Sequence, residues 1–127
     1  MIADTTFVSD LIKERQPGHH GAKPATELFY RARAAKIHLT IITAGEISVA
    51  FKDATAARAW LDDWQIYPLH FGIMDTAADI DREMIRRGRR LGENDNWIAG
   101  FVRYHRQPLI SRDKAFDSVA GIRRVKY

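Results

Sequence analysis

Short apolar runs rich in β-branched residues alternate along this chain with stretches of helical spacing, and that alternation limits the folds open to it. Ile2-Ala3, Ile37-His38-Leu39-Thr40-Ile41-Ile42, Ile66-Tyr67-Pro68-Leu69, Pro108-Leu109-Ile110-Ser111 and Ile122-Arg123-Arg124-Val125 read as strands. Thr5 to Glu14 reads as a turn and helix, and Pro24 opens a second helix with an apolar stripe of Leu28, Ala32 and Ala35. Thr43 starts another, to about Phe51, and Ala57, Trp60, Leu61 and Trp64 recur at i, i+3, i+4 and i+7. The longest helix is expected over Thr76 to Leu91, with Ala77, Ile80, Met84 and Leu91 inward and Gly92 as its stop. Asp95 begins the next, with Ile98, Phe101 and Val102 as its core face. Strands separated by helices require crossover connections, so the expected fold is α/β with a mostly parallel central sheet. Pro68 places its strand at an edge or an end. Gln16 to Pro24, with its Pro and Gly residues, is a loop.

The 127 residues suit one domain, and a hydrophobic content of 46% is ordinary for a chain with its own core. There are no cysteines, which excludes disulfides and thiolate metal sites and fits a reducing, cytoplasmic setting. Met1-Ile2-Ala3-Asp4 meets an acid at once and does not read as a signal peptide. No apolar run approaches the roughly 20 residues of a membrane helix. The formal charge is +4 and the pI about 9.6. A basic chain fits a polyanionic partner, and equally an ordinary surface of Lys and Arg.

Against this basic background four acids stand where strands should give way to helices or loops. In a parallel sheet, ligands bind beyond the carboxyl ends of the strands. Asp4, Glu46 and Asp113 each follow a strand at that edge, and Asp95 opens a helix that can start there. Each also has a local reading. Thr43-Ala44-Gly45-Glu46 fits a capping box, Asp95 would meet the positive end of a helix dipole, Asp4 could cap a turn, and Asp113 could form an Asx-turn after Ser111-Arg112. Singly, the local readings are favoured. Jointly, four carboxylates on one edge repel one another unless a cation holds them.

Met1-Ile2-Ala3-Asp4-Thr5-Thr6, Thr40-Ile41-Ile42-Thr43-Ala44-Gly45-Glu46, Asn94-Asp95-Asn96-Trp97-Ile98-Ala99-Gly100 and Leu109-Ile110-Ser111-Arg112-Asp113-Lys114-Ala115-Phe116 together resemble the PIN-domain ribonucleases. In order and spacing they are similar to the VapC toxins of bacterial toxin–antitoxin pairs. The segments around Asp95 and Asp113 are the most specific, and the four cover nearly the whole chain. The sequence departs from the family at Thr6, where Asn is frequent, and at Gly100, where Ala is frequent; the Gly18 to Gly21 loop lies outside the pattern.

The resemblance implies a PIN domain over residues 1–127 with a three-layer α/β/α architecture, acting as a metal-dependent endoribonuclease. The catalytic acids would be Asp4, Glu46, Asp95 and Asp113. Asp4, Asp95 and Asp113 would bind Mg²⁺ or Mn²⁺, with Glu46 holding a metal-bound water or a second ion. Oxygen ligands suit both cations, and RNA hydrolysis needs a cation to activate water and to neutralise charge on the phosphate. Thr5 and Ser111 supply hydroxyls that could orient carboxylates or water. The implied partners are an RNA substrate, a cognate antitoxin protein and a second copy in a homodimer. Val8, Leu11, Ile12 and Phe29 are candidates for antitoxin contact or for ordinary core.

Arg82, Arg86, Arg87, Arg89 and Arg90 cluster late in the long helix, and Arg103, Arg106, Arg112 and Lys114 flank the acids. Arg86, Arg90, Arg112 and Lys114 are the RNA-contact candidates, since phosphate contacts give affinity. The competing reading for Arg82 to Arg90 is a solvated helix face, offset by Asp79, Asp81 and Glu83. His19 and His20 read as plain loop residues. Trp60, Trp64 and Trp97 read as core or dimer packing before base stacking. Two rival functions remain: a receiver-like Mg²⁺-binding signalling domain, and a PIN-like RNA-binding module without catalysis. A receiver needs a phosphoacceptor Asp after a central strand, where this chain runs from Ile42 to Thr43 and Glu46. The presence of all four acids argues against the second.

Overall fold

The computed structural model describes residues 1–32 and 35–127. Its elements run β1 (Ile2–Ala3), α1 (Thr5–Glu14), α2 (Pro24–Arg31), β2 (His38–Thr40), α3 (Ile41–Ser48), α4 (Ala54–Leu61), β3 (Gln65–Tyr67), α5 (Phe71–Arg86), α6 (Glu93–His105), β4 (Leu109–Ile110), a 3-10 turn (Lys114–Ser118) and β5 (Arg124–Val125). All pairings are parallel and the strand order is β3-β2-β1-β4-β5. Ile2 stands opposite His38 on one side and Leu109 on the other, so the two-residue β1 is the centre of the sheet. Successive strand residues point to opposite faces. Ala3, Leu39 and Ile110 pack under α1 to α4, with Phe7, Leu11, Leu28, Ile47 and Leu61. Ile2 and Leu109 pack under α5, α6 and the 3-10 turn, with Ile73, Ile80, Ile98, Phe101 and Phe116. Helices therefore cover both faces, as expected.

Several boundaries differ from the sequence expectation, each for a local reason. The run from Ile37 to Ile42 stops being a strand at Thr40. The Thr40 backbone is extended and its hydroxyl accepts the Thr43 N–H at 3.0 Å, so α3 starts at Ile41. Thr40 rather than Thr43 is the cap, and the Thr43–Glu46 capping box does not form. The long helix begins at Phe71, not Thr76, because the His70 ring nitrogen accepts the Gly72 N–H at 3.2 Å. It ends at Arg86, where Gly88 takes φ +67 and the Gly88 and Arg89 N–H groups bond back to Ile85 and Met84. Gly92 is thus not its stop but the residue that leads into α6.

In α2, the N-cap residue Lys23 makes no side-chain cap. Instead the buried Glu14 of α1 accepts from Ala25 N–H at 3.1 Å and Thr26 N–H at 2.7 Å. The helix ends at Arg31, so Ala35 lies outside it and is exposed, and residues 33 and 34 lie outside the described residues. Trp64 likewise falls beyond α4.

Candidate active site

Strand order reverses between β1 and β4: the chain steps from β1 to β2 to β3, then crosses to β4 and β5 on the other side. A crevice opens at such a reversal beyond the carboxyl ends of the strands. Asp4 follows β1 and Ser111 to Asp113 follow β4, so both banks of the crevice carry polar groups. The order also differs from the 2-1-3-4-5 arrangement of receiver domains, which removes the fold-level basis of that rival reading.

Asp4 is 3% exposed and held on three sides. It caps α1 by accepting the Phe7 N–H at 2.8 Å, it takes the Thr6 hydroxyl at 2.8 and 2.9 Å, and it takes a short hydrogen bond from the buried Ser111 hydroxyl. Ser111 in turn accepts the Asp113 N–H at 2.9 Å, and Asp113 accepts the Ala115 N–H at 2.8 Å as the cap of the 3-10 turn. Glu46 lies past the first turn of α3 and faces two partners: Thr5 donates to one oxygen, and the Asn94 amide donates to the other at 2.8 Å. Asp95 is half-buried in the first turn of α6, and no hydrogen bond holds its side chain among the described residues.

The four acids are near enough to act on one another through charge. Burial pushes the Asp95 carboxyl above the usual carboxylate range, and Asp113, Glu46 and Asp4 each push it further. Burial also raises Asp4; Ser111, Phe7 and Thr6 pull against that rise, and Asp113 adds to it. None of the four acids has an ion-pair partner among the described residues, although Arg124 lies behind them. Arg124 is nearly buried, donates to the Ser111 carbonyl at 3.0 Å and pairs with Asp117 at 2.5 Å. The donor set is all carboxylate and hydroxyl oxygen, which fits a hard cation that retains several waters. It does not enclose one: no three His, Asp or Glu side chains among the described residues are grouped closely enough to hold an ion by themselves.

The sequence matches the family model of the PIN domain over residues 1–122. The chain belongs to the PIN domain family. Among curated proteins the sequence finds no match. Among solved structures, it is similar to a chain of VapBC2 from Rickettsia felis, bound to a DNA fragment of its promoter, with TM-score 0.79 and 15% identity over 99% of this chain and 97% of that one. It is similar to a chain of DNA-bound VapBC from Salmonella typhimurium, with TM-score 0.78 and 21% identity over 98% and 96%. FitAcB from Neisseria gonorrhoeae gives TM-score 0.77 and 16% identity over 97% and 94%. At these identities the likeness speaks for the fold.

In this PIN domain the flanking arginines are less available than their number implies. Arg90 is forked onto Asp81 at 2.7 and 3.0 Å, and Arg112 pairs with Asp10 at 3.0 Å, which also accepts the Tyr127 hydroxyl at 2.9 Å. Arg86 and Lys114 are exposed. Val8 and Leu11 are fully in the core, which removes them as docking residues; Ile12 and Phe29 are partly buried beside it. The His19 ring nitrogen pairs with the Ala22 carbonyl of its own loop at 3.2 Å. Trp60 and Trp64 pack on Phe51, Phe29 and each other, as core residues do. The sequence reading missed Asn94 and Arg124. Asn94 sits beside Asp95, but nothing in its spacing announces that it reaches Glu46. Arg124 reads as one of many surface arginines until β5 is placed next to β4. No helix among the described residues is long and apolar enough to cross a membrane.

Proposed function

We propose that this PIN domain is a Mg²⁺- or Mn²⁺-dependent endoribonuclease and the toxin of a toxin–antitoxin pair. The observation that supports it most is the convergence of Asp4, Glu46, Asp95 and Asp113 on one strand edge with no ion-pair partner among the described residues, in a chain of net charge +4. Asp4, Asp95 and Asp113 would hold the cation. When bound, the ion supplies a water of lowered pKa and offsets charge growing on the phosphate. Ser111 and Thr6 fix the Asp4 carboxylate through their hydroxyls. Thr5 and Asn94 fix the two oxygens of Glu46, which leaves that carboxylate oriented to accept a proton from the attacking water. Arg112 and Lys114 flank Asp113 in sequence; the exposed Lys114 would meet substrate phosphates, and Arg112 would do so on leaving Asp10.

The partner is inferred from fold neighbours that include a toxin–antitoxin complex from Klebsiella pneumoniae and a member of the VapBC family of toxin–antitoxin systems from Mycobacterium tuberculosis. The antitoxin would meet the α1–α4 side, where Ile12 and Phe29 are half-buried and a cleft of about 250 Å³ is lined by Arg15, Phe29, Trp60 and Trp64. A second copy would meet the apolar patch of Leu69, Phe71 and Tyr104, of which Phe71 is 80% exposed. The test is cleavage of a mixed RNA pool with Mg²⁺, Mn²⁺ or EDTA, beside an Asp95→Asn protein. Cleavage that needs the cation and is lost in the variant supports the reading; cleavage that survives both EDTA and the substitution refutes it.

A further inference from the structure

The arginines of this chain do not all serve the acidic edge. Arg103 and Arg106, expected beside the acids, lie at the opposite end of the sheet. All strands are parallel, and the crevice lies beyond their carboxyl ends. Asp95 stands in the first turn of α6 and Arg106 is the C-cap of that helix, roughly 16 Å away along its axis. Pro108 and Arg123 immediately precede β4 and β5, at the amino ends of those strands. There a cleft of about 340 Å³ is lined by Arg103, Arg106, Gln107, Pro108, Gly121 and Arg123. Among the described residues its lining holds three arginines and no acid.

Two of these arginines are uncommitted. Arg103 is fixed: its guanidinium forks onto Glu83 at 2.8 and 3.1 Å and donates to the Ala120 carbonyl at 2.7 and 3.1 Å. It forms a wall of the cleft. Arg106 and Arg123 are exposed and have no ion-pair partner among the described residues. Arg106 also takes φ +53, the one positive φ outside glycine among the described residues. Its N–H bonds back to the Arg103 carbonyl at 3.2 Å and that of Gln107 to Val102 at 3.3 Å, so it occupies the left-handed cap that glycine ordinarily fills. A side chain there brings Cβ crowding that glycine avoids, and such outliers concentrate at functional sites. The basic surface continues from the cleft to the end of α5. The Glu83 carboxyl is held below its usual range by the Arg103 hydrogen bonds first, and by the charge of Arg86 and Arg87 as well. Glu83 is the one acid paired into this group among the described residues. The excess left on its five arginines is as large as the formal charge of the whole chain, +4.

We propose that the cleft of Arg106 and Arg123 is a docking site for an RNA backbone, at the far end of the domain from the acids: it holds a stretch of substrate that has run round the molecule from the crevice. This rests on the nuclease reading above. A guanidinium fork matches the oxygens of a phosphate, and backbone contacts position a nucleic acid without reading its sequence. The site therefore adds affinity for long RNA and none for a fragment too short to reach from the crevice to the end of α6.

The test is RNA binding in EDTA, where a cation-dependent nuclease is silent, read by fluorescence anisotropy over a series of salt concentrations. A labelled RNA of about 30 nucleotides is compared with one of about 4; for single strands each phosphate contact contributes about 0.7 to the slope of log affinity against log salt. Arg106→Gly combined with Arg123→Gln should weaken the long RNA roughly tenfold, whatever its sequence, and reduce that slope by about 1.4. The short RNA should bind parent and variant alike. Arg106→Gly alone should melt no lower than the parent, because glycine suits the left-handed cap, and this separates a lost contact from a lost fold. Arg58→Gln removes one positive charge from α4, on the other face of the sheet, and should leave the slope as it is. An unchanged affinity and slope in the double variant, or an equal loss in Arg58→Gln, overturns the proposal. Loss of polyglutamate binding in the double variant with RNA binding intact also overturns it, and assigns the patch to an acidic protein segment. The two readings fail separately. Binding that depends on Arg106 and Arg123 in a protein that cleaves nothing would retain the docking site and discard the nuclease. Cation-dependent cleavage of long RNA at unchanged KM in the double variant would retain the nuclease and discard the docking site.

Discussion

At the scale of single residues, the acids of the crevice are not equivalent. Asp4 is both a cap and a member of the acidic group; Asp95 has no hydrogen-bond partner among the described residues and three like charges around it. Asp4→Ala should therefore destabilise the metal-free fold by about 1–2 kcal/mol, the usual loss for an N-cap, while Asp95→Ala should not. Urea unfolding in EDTA compares them directly. Asp95→Asn should abolish cleavage and leave the metal-free fold at least as stable as the parent. The pH dependence has a definite sign. Folding raises the Asp95 pKa and so favours its protonated form. That contribution is complete below the unfolded value near 4 and is lost as pH rises through the folded value. The stability advantage of Asp95→Asn over the parent in EDTA should accordingly grow from about pH 4 towards neutrality. A flat difference would mean that neither burial nor the neighbouring acids raise the Asp95 carboxyl in the folded protein. The position of these acids was legible in the sequence, because Asp4, Glu46 and Asp113 follow apolar runs and Asp95 opens a helix. Their partners were less so: Ser111 and Thr5 were foreseen as orienting hydroxyls, whereas Asn94 and Arg124 act through spatial neighbours that only the assembled sheet provides.

Among the elements, side-chain caps decided what propensity could not. Ile41 and Ile42 are good strand residues, yet the Thr40 hydroxyl bonds the Thr43 N–H and turns them into the first turn of α3. Thr40→Ala should lower unfolding stability by about 1 kcal/mol, read from the denaturation midpoint at unchanged slope. Because α3 begins two residues early, Glu46 sits past the first turn and is free of the backbone, which lets Thr5 and Asn94 claim it. Two glycines separate packing from propensity. Gly45 lies in α3 with open space around it, so Gly45→Ala should stabilise by about 0.5–1 kcal/mol. Gly100 lies in α6 hard against Ala77, so Gly100→Ala should cost about 1–3 kcal/mol of overpacking and prove net destabilising. Thermal melting of both variants distinguishes the two sites. The helical periods were visible in the sequence, and the ends were not, since a histidine cap at His70 and a left-handed Gly88 are set by local geometry rather than by period.

For the whole molecule, the parallel α/β arrangement and the edge that gathers the acids followed from the alternation of elements. The strand order did not, because no residue pattern states which side of β1 a later strand will take. Leu69, Phe71 and Tyr104 leave apolar side chains exposed, Phe71 most of all, and this is the face proposed for a second copy. Phe71→Asp should shift the sedimentation of the protein towards a single copy while leaving its melting temperature within a degree or so, since that ring is 80% exposed and packs little of the core. The placement of β1 also bears on synthesis. β1 is synthesised well before one of its two neighbours, β4, and the Asp4 carboxylate meets a hydroxyl 107 positions later. Such distant pairings form slowly and late. A nascent chain that still lacks Leu109 to Ser111 has no second bank to its crevice and no hydroxyl to hold Asp4, so under the proposed function the site would be completed only when the last strands are made.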